Sequence, residues 1–289
     1  LNLTFTTKIS KNLMTNTHFD FMGTNKKSLI IVSAIIVVCI GSFAIRGLSQ
    51  SIDFTGGRNF KVQFENPVEP EQVRELISSK FGDANVSVIA IGTDKKTVRI
   101  STNYRIEDEG NNVDSEIESY LYETLKPVLT QNITLETFID RDNHTGGSIV
   151  SSQKVGPSIA DDIKTGAIYS VVLALLAIGL YILLRFRNIA YSIGSIVALS
   201  CDTIMIIGAY SLFWGILPFS LEIDQTFIGA ILTAIGYSIN DKVVIFDRVR
   251  EFFGLYPKRD KRVLFNDSLN TTLARTINTS LSTLIVLLC

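Results

Sequence analysis

The chain has 289 residues, 46% of them hydrophobic and only 19% charged, with a mean hydropathy of +0.30. A soluble domain carries about 25% charge, so an ordinary water-soluble enzyme is excluded and a membrane protein with one soluble insert is expected. The net charge of −1, from 27 Lys and Arg against 28 Asp and Glu, conceals a segregation along the chain. Cys39, Cys201 and Cys289 all fall in apolar runs. Thiols there act as small hydrophobes and say nothing of redox compartment. The start at Leu1, and an apolar run interrupted at Cys289, predict a fragment of a longer chain.

A bilayer core of about 30 Å needs roughly 20 apolar residues in a helix. An N-terminal segment, residues 1–27, carries Lys8, Lys11, Lys26 and Lys27 against Asp20. The first span is Ser28–Ile45, with Arg46 after it (28–46 as a unit). Its apolar core is too long for a signal peptide, and further apolar segments follow. A polar insert occupies 47–166, and 167–289 holds the later spans Ala167–Leu184, Ala190–Trp214 and Phe227–Phe246. A fifth opens at Thr276–Cys289 and is cut off; a sixth is absent. Arg185 and Arg187 mark the turn between the second and third spans, and the loop Arg248–Arg262 is basic. The insert is acidic, with 19 acids and 12 bases over 48–166, and the 215–226 loop holds only Glu222 and Asp224. By the positive-inside rule the basic loops are cytoplasmic and the insert is extracytoplasmic. That topology explains the basic loops better than nucleic-acid binding does, and no nucleic-acid partner is expected.

Within the insert, Asn59–Phe64 alternates as a strand, and Pro70–Phe81 has helical spacing through Val73, Leu76, Ile77 and Phe81. Val86–Ile91 and Thr97–Ser101 read as strands joined by a turn at Gly92-Thr-Asp-Lys. Asp114–Leu129 reads as a helix and Asn132–Phe138 as the final strand; Ser148–Val155 is a candidate further strand returning toward the membrane. The order strand–helix–strand–strand–helix–strand is the split βαβ, ferredoxin-like pattern. The expected architecture is therefore an α-helical polytopic membrane bundle with an extracytoplasmic α+β ferredoxin-like domain. No HExxH, paired-Cys, GxSxG or phosphate-loop string occurs, and the two histidines, His18 and His144, are far apart. Neither an enzyme nor a bound metal or cofactor is expected. Asp53-Phe-Thr-Gly-Gly57 sits where the first span meets the insert, and Gly56 and Gly57 suit a tight turn. The acceptor-type triplets beginning at Asn85, Asn132 and Asn143 are short enough to arise by chance.

A charge in hydrocarbon costs at least about 2.5–3.5 kcal/mol and marks a functional candidate. Asp202 in the third span, Asp241 with Lys242 in the fourth, and Arg275 at the start of the fifth qualify. Gly229, Thr233, Gly236 and Asn240 follow one stripe of the fourth span, with Ala230, Ala234, Tyr237 and Asp241 beside it. Small residues let helices approach closely, so this face is expected to pack into the bundle with Asp241 pointing inward. Asp241 lies six residues before Asp247, roughly 9 Å deep, and Arg275 on an antiparallel neighbour is about equally deep. The two are expected to pair, as a proton relay or as a static bridge. Lys242 either pairs with Asp241 or snorkels. Asp202 either joins the cluster or is capped locally by Thr203 or Ser195.

Several strings resemble the SecF family of protein-export membrane subunits, relatives of the resistance–nodulation–division (RND) transporters. They are Phe19-Asp-Phe-Met-Gly23, Ile52-Asp-Phe-Thr-Gly-Gly57, Val155-Gly-Pro-Ser158 and Tyr181-Ile-Leu-Leu-Arg-Phe186. Ile235-Gly-Tyr-Ser-Ile-Asn-Asp241, Phe246-Asp-Arg-Val-Arg-Glu251 and Arg275-Thr-Ile-Asn-Thr-Ser280 complete the set, in family order. The resemblance implies six spans, a joint to a preceding SecD half over residues 1–18, and a partner of the SecYEG channel. It further implies a subunit of the cytoplasmic membrane that uses the proton gradient to pull unfolded preprotein outward. The family's relay aspartate and arginine map onto Asp241 and Arg275. Its usual His-Asp reads Cys201-Asp202 here, and Lys242 stands where a small hydroxyl residue is common. Sodium coupling stays open through the Asp241 carboxylate with Asn240 and Thr233 oxygens. The alternative function is an RND-type proton-coupled exporter of small molecules.

Overall fold

A computed structural model describes residues 18–82, 84–92, 94–108, 112–130, 133–142, 146–217 and 220–288. The N-terminal segment through residue 17, Thr93 of the predicted turn, Asn132, His144, the triplet at Asn143 and Cys289 lie outside the described residues.

Helix α1 spans Phe21–Arg46. It starts where the Asp20 carboxylate accepts from the Gly23 amide at 2.8 Å, an N-cap bond. It stops at Gly47, whose φ of +65° suits glycine. One turn, α2 (Ile52–Thr55), leads into strand β1 (Gly57–Gln63). Helix α3 (Pro70–Phe81) opens on a proline at its first turn and ends at Gly82 with φ +63°. Strands β2 (Val86–Ile91) and β3 (Thr97–Thr102) precede helix α4 (Val113–Leu125), which a 3₁₀ turn over Lys126–Val128 extends. Helix α5 covers Leu135–Ile139 and strand β4 Ser148–Val155. Four long helices follow: α6 (Pro157–Phe186), α7 (Ile189–Phe213), α8 (Gln225–Leu255) and α9 (Lys261–Leu288).

The predicted strand at Asn132–Phe138 is corrected. Its described part forms helix α5, because the Thr134 hydroxyl caps the turn by accepting from the Thr137 amide at 3.3 Å. Leu135, Phe138 and Ile139 then share one helical face, and Phe138 is fully buried. The place beside β1 goes to the eight-residue β4 instead.

The chain divides into two compact units. One, residues 48–171 with 213–229, contains a four-stranded sheet in the order β2-β3-β1-β4, antiparallel throughout. This is the split βαβ arrangement, with β4 as its last strand. The pairings Phe60↔Ile100 and Val88↔Ile100 put apolar side chains on one face, and a bulge at Lys61/Val62 shifts the register toward Ile149. Val73 and Ile77 of α3 and Ile117 and Leu121 of α4 pack on that face. Arg58 also lies within it, almost fully buried: Nε donates to Asp114 Oδ1 at 2.8 Å and Nη1 to the carbonyls of Tyr104 and Arg105 at 3.0 and 3.1 Å.

The other unit comprises residues 1–47, 172–212 and 230–289. Small residues set its close approaches. A Cβ on Gly208 of α7 would collide with Cys39 of α1, and near by Ser42 and Ser211 share a buried hydrogen bond of 3.1 Å. The Ser192 hydroxyl donates to the Gly179 carbonyl at 2.6 Å, joining α7 to α6. Asn266 and Asn270 of α9 bond the backbone of Phe19 and Phe21, holding the entry to α1. Among the described residues, α1, α6, α7 and α8 are long and apolar enough to cross a membrane. Helix α9 does not meet that standard, because Asn266, Asp267, Asn270, Arg275 and Asn278 interrupt it. Large apolar side chains such as Leu29, Val37, Leu173 and Ile189 stand exposed, as a hydrocarbon-facing surface requires.

The expected burial of the small stripe of the fourth span is not observed. Ile231 and Ile235 of α8 are buried, whereas Gly236 and Asn240 are exposed. Packing within this chain takes the isoleucines because they remove more apolar area per residue.

Candidate functional site

Charged side chains gather between α7 and α8. Ser238 and Lys242 lie one helical turn apart on α8, so both project the same way. The Lys242 ammonium is 2.6 Å from Asp202 Oδ2 on α7, and the Ser238 hydroxyl donates to the same oxygen at 2.5 Å. Both charged side chains are largely covered, at 21% exposure for Lys242 and 31% for Asp202. The three line an open cavity of about 460 Å³ whose other walls are Met205, Ile206, Ala209 and Ala234. The ammonium and the carboxylate are thus held in contact across the α7–α8 interface, with the cavity beside them.

Neither local cap proposed for Asp202 forms. The Thr203 hydroxyl donates to the Leu199 carbonyl at 2.9 Å and Ser195 to Ser192 at 2.8 Å. Lys242 pairs with Asp202, not Asp241, and does not snorkel away. Asp241, the residue before Lys242 and on a different face, meets α9. Its Oδ1 accepts from the Thr279 hydroxyl at 3.2 Å. Among the described residues no ion pair joins Asp241 to Arg275, which is exposed one turn before Thr279. The expected pair is therefore absent in this conformation. Asn240 is exposed beside them and makes no hydrogen bond to Asp241. Among the described residues no group of three or more His, Cys, Asp and Glu gathers to hold a metal.

The paired-glycine turn lies in the other unit. Ser51 caps α2, accepting from the Asp53 amide at 3.1 Å. Gly56 (φ +74°) and Gly57 (φ +152°) then reverse the chain into β1. A Cβ on Gly57 would lie 2.7 Å from Ile52 Cγ2 and 2.9 Å from the Thr102 carbonyl oxygen. Asp53 Oδ2 accepts from the Gln225 amide at 3.0 Å, at the positive N-terminus of α8. The Ser51 amide donates to the Ile223 carbonyl at 2.9 Å, and the Ile223 amide to the Ser49 carbonyl at 2.8 Å. Glu222, in the same 220–225 loop, is buried against Arg99 of β3 in an ion pair. Burial pushes its carboxyl above the usual range; Arg99 pulls it back, and Asp224 and Asp53 raise it further. The pairing of Glu222 with Arg99 and the burial of Arg58 lie beyond the sequence reading, which took the 215–226 loop only as a mark of topology. The alternation Arg58, Phe60, Val62, Phe64 was the available sign that Arg58 faces the core.

The C-terminal SecD/SecF protein-export family pattern matches residues 108–289, more than half of the chain, and the SecD/SecF GG motif matches residues 41–68, which contain Gly56 and Gly57. A protein translocase subunit SecF from Rhodothermus marinus is 37% identical over 271 residues, covering 94% of this chain and 80% of its own. The chain belongs to the SecD/SecF protein-export family. A SecF from Thermodesulfovibrio yellowstonii is 31% identical, over 94% of this chain and 82% of its own. The crystal structure of SecDF, a translocon-associated membrane protein from Thermus thermophilus, superposes with a TM-score of 0.71 at 28% identity over 94% of this chain. This chain spans only 33% of that SecDF chain, corresponding to its SecF half. The SecF assignment makes the molecule a multi-pass transport protein and not an enzyme. The small-molecule-exporter alternative is set aside by the same matches.

Proposed function

We propose that this SecF-family chain couples the proton gradient to polypeptide export, working with SecD and the SecYEG channel on unfolded preprotein. The basic loops support a cytoplasmic-membrane orientation with the sheet-bearing unit outside. The observation that carries the coupling is the unequal treatment of two intramembrane carboxylates. Among the described residues Asp202 has an ammonium at 2.6 Å, while Asp241 has the Thr279 hydroxyl at 3.2 Å and no ion pair. Asp241 is thus the carboxylate whose charge is left to be neutralised by a proton. When ionised it accepts from Thr279; once protonated, its own O–H donates to Thr279, reversing the bond that joins α8 to α9. Arg275, one turn away on α9, is the cation that Asp241 takes up when it loses the proton. Asn240 flanks this path on α8. A charge crossing 100 mV supplies about 2.3 kcal/mol, enough to bias two arrangements of such a contact.

The test is Asp241→Asn, which keeps shape and hydrogen bonding but cannot titrate. Gradient-dependent export in membrane vesicles is expected to vanish while expression and insertion persist. Export at the normal level would refute the relay.

A further inference from the structure

We propose that Lys242 is a tethered cation that closes the Asp202–Ser238 site to sodium. The inference rests on the ion-coupled reading above and concerns a separate carboxylate. A carboxylate and a hydroxyl aimed at one point, beside an open cavity that admits water, form the kind of hard-oxygen set that binds a small cation. Here the Nζ of Lys242 occupies that point, 2.6 Å from Asp202 Oδ2 and within hydrogen-bond distance of Ser238 Oγ. The 460 Å³ cavity opens onto the same three side chains.

Charge counting makes the competition exclusive. One ammonium neutralises Asp202, and a sodium ion admitted beside it would leave an uncompensated positive charge among membrane helices. Helix α8 fixes Lys242 one turn from Ser238, so the ammonium competes without being diluted. Unlike a free ion, it cannot be carried through. Asp241, on a different face and bonded to Thr279, is left as the carboxylate that exchanges a mobile ion.

The experiment is thermal unfolding of the full-length protein in detergent, titrated with NaCl against choline chloride at equal ionic strength. A ligand bound only by the folded state raises the midpoint in a concentration-dependent way. The wild type and Lys242→Arg should show no sodium-specific shift. Lys242→Ser, and Lys242→Gln if the serine variant does not fold, should gain a saturable upward shift that Asp202→Asn abolishes. A sodium-specific shift in the wild type would overturn the proposal, as would a folded serine or glutamine variant without one. The titration needs no export. Proton-driven export that survives Asp241→Asn would therefore refute the relay while leaving the sodium result to be read alone.

Discussion

Substituting Gly57→Ala tests how the paired-glycine turn is built. At φ +152° the backbone is outside the region open to side-chain-bearing residues, which costs about 1–3 kcal/mol. The added methyl also meets Ile52 Cγ2 at 2.7 Å and the Thr102 carbonyl oxygen at 2.9 Å. Ile52 is itself buried, and Thr102 is backbone of β3, paired with Arg58 of β1. Overpacking of this kind adds about 1–3 kcal/mol. The sum, about 2–6 kcal/mol, corresponds to a fall in midpoint of roughly 5–25 °C for a unit of this size. Gly47→Ala is the control, since its φ of +65° is also positive but no atom lies within 4 Å of the added Cβ. It should lose about 1–2 kcal/mol. Thermal unfolding of the full-length protein, with hydrogen exchange at the β1 and β3 amides, reads both variants. Equal losses in the two would show that the close approach to Thr102 carries no weight.

Arg58→Met should destabilise by about 2–4 kcal/mol, because the carbonyls of Tyr104 and Arg105 lose their donor within the fold. The urea midpoint measures it, and Arg58→Lys should recover only part, since one ammonium cannot reproduce the fork. Glu222 gives a pH signature. Its folded carboxyl sits above the unfolded one, so the folded state holds the extra proton and stability falls as pH rises from the ordinary carboxylate range through the folded pKa. Glu222→Gln should flatten that slope in unfolding measured across pH, and an unchanged slope would assign it elsewhere.

Periodicity carried much of the fold. The four spans follow from apolar runs of about 20 residues, and helix α3 and strands β1 to β3 from the 3.6- and 2-residue repeats of apolar side chains, because each such repeat reflects a face buried against something. The final strand did not follow. Leu135–Ile139 is too short for its period to separate helix from strand, and Thr134 decides by capping a turn.

The sequence alone determined that Asp202, Asp241, Lys242 and Arg275 are costly charges in apolar helices, since transfer energy depends on residue type and local composition. The tertiary structure decided their partners. It gave Lys242 to Asp202, Thr279 to Asp241, and left Arg275 unpaired to Asp241 in this conformation. It likewise joined Glu222 to Arg99 across more than a hundred residues. Ion pairs and hydrogen bonds act over a few ångströms and depend on how helices are rotated against one another. That rotation is set by the packing of whole faces, which no local string of residues encodes.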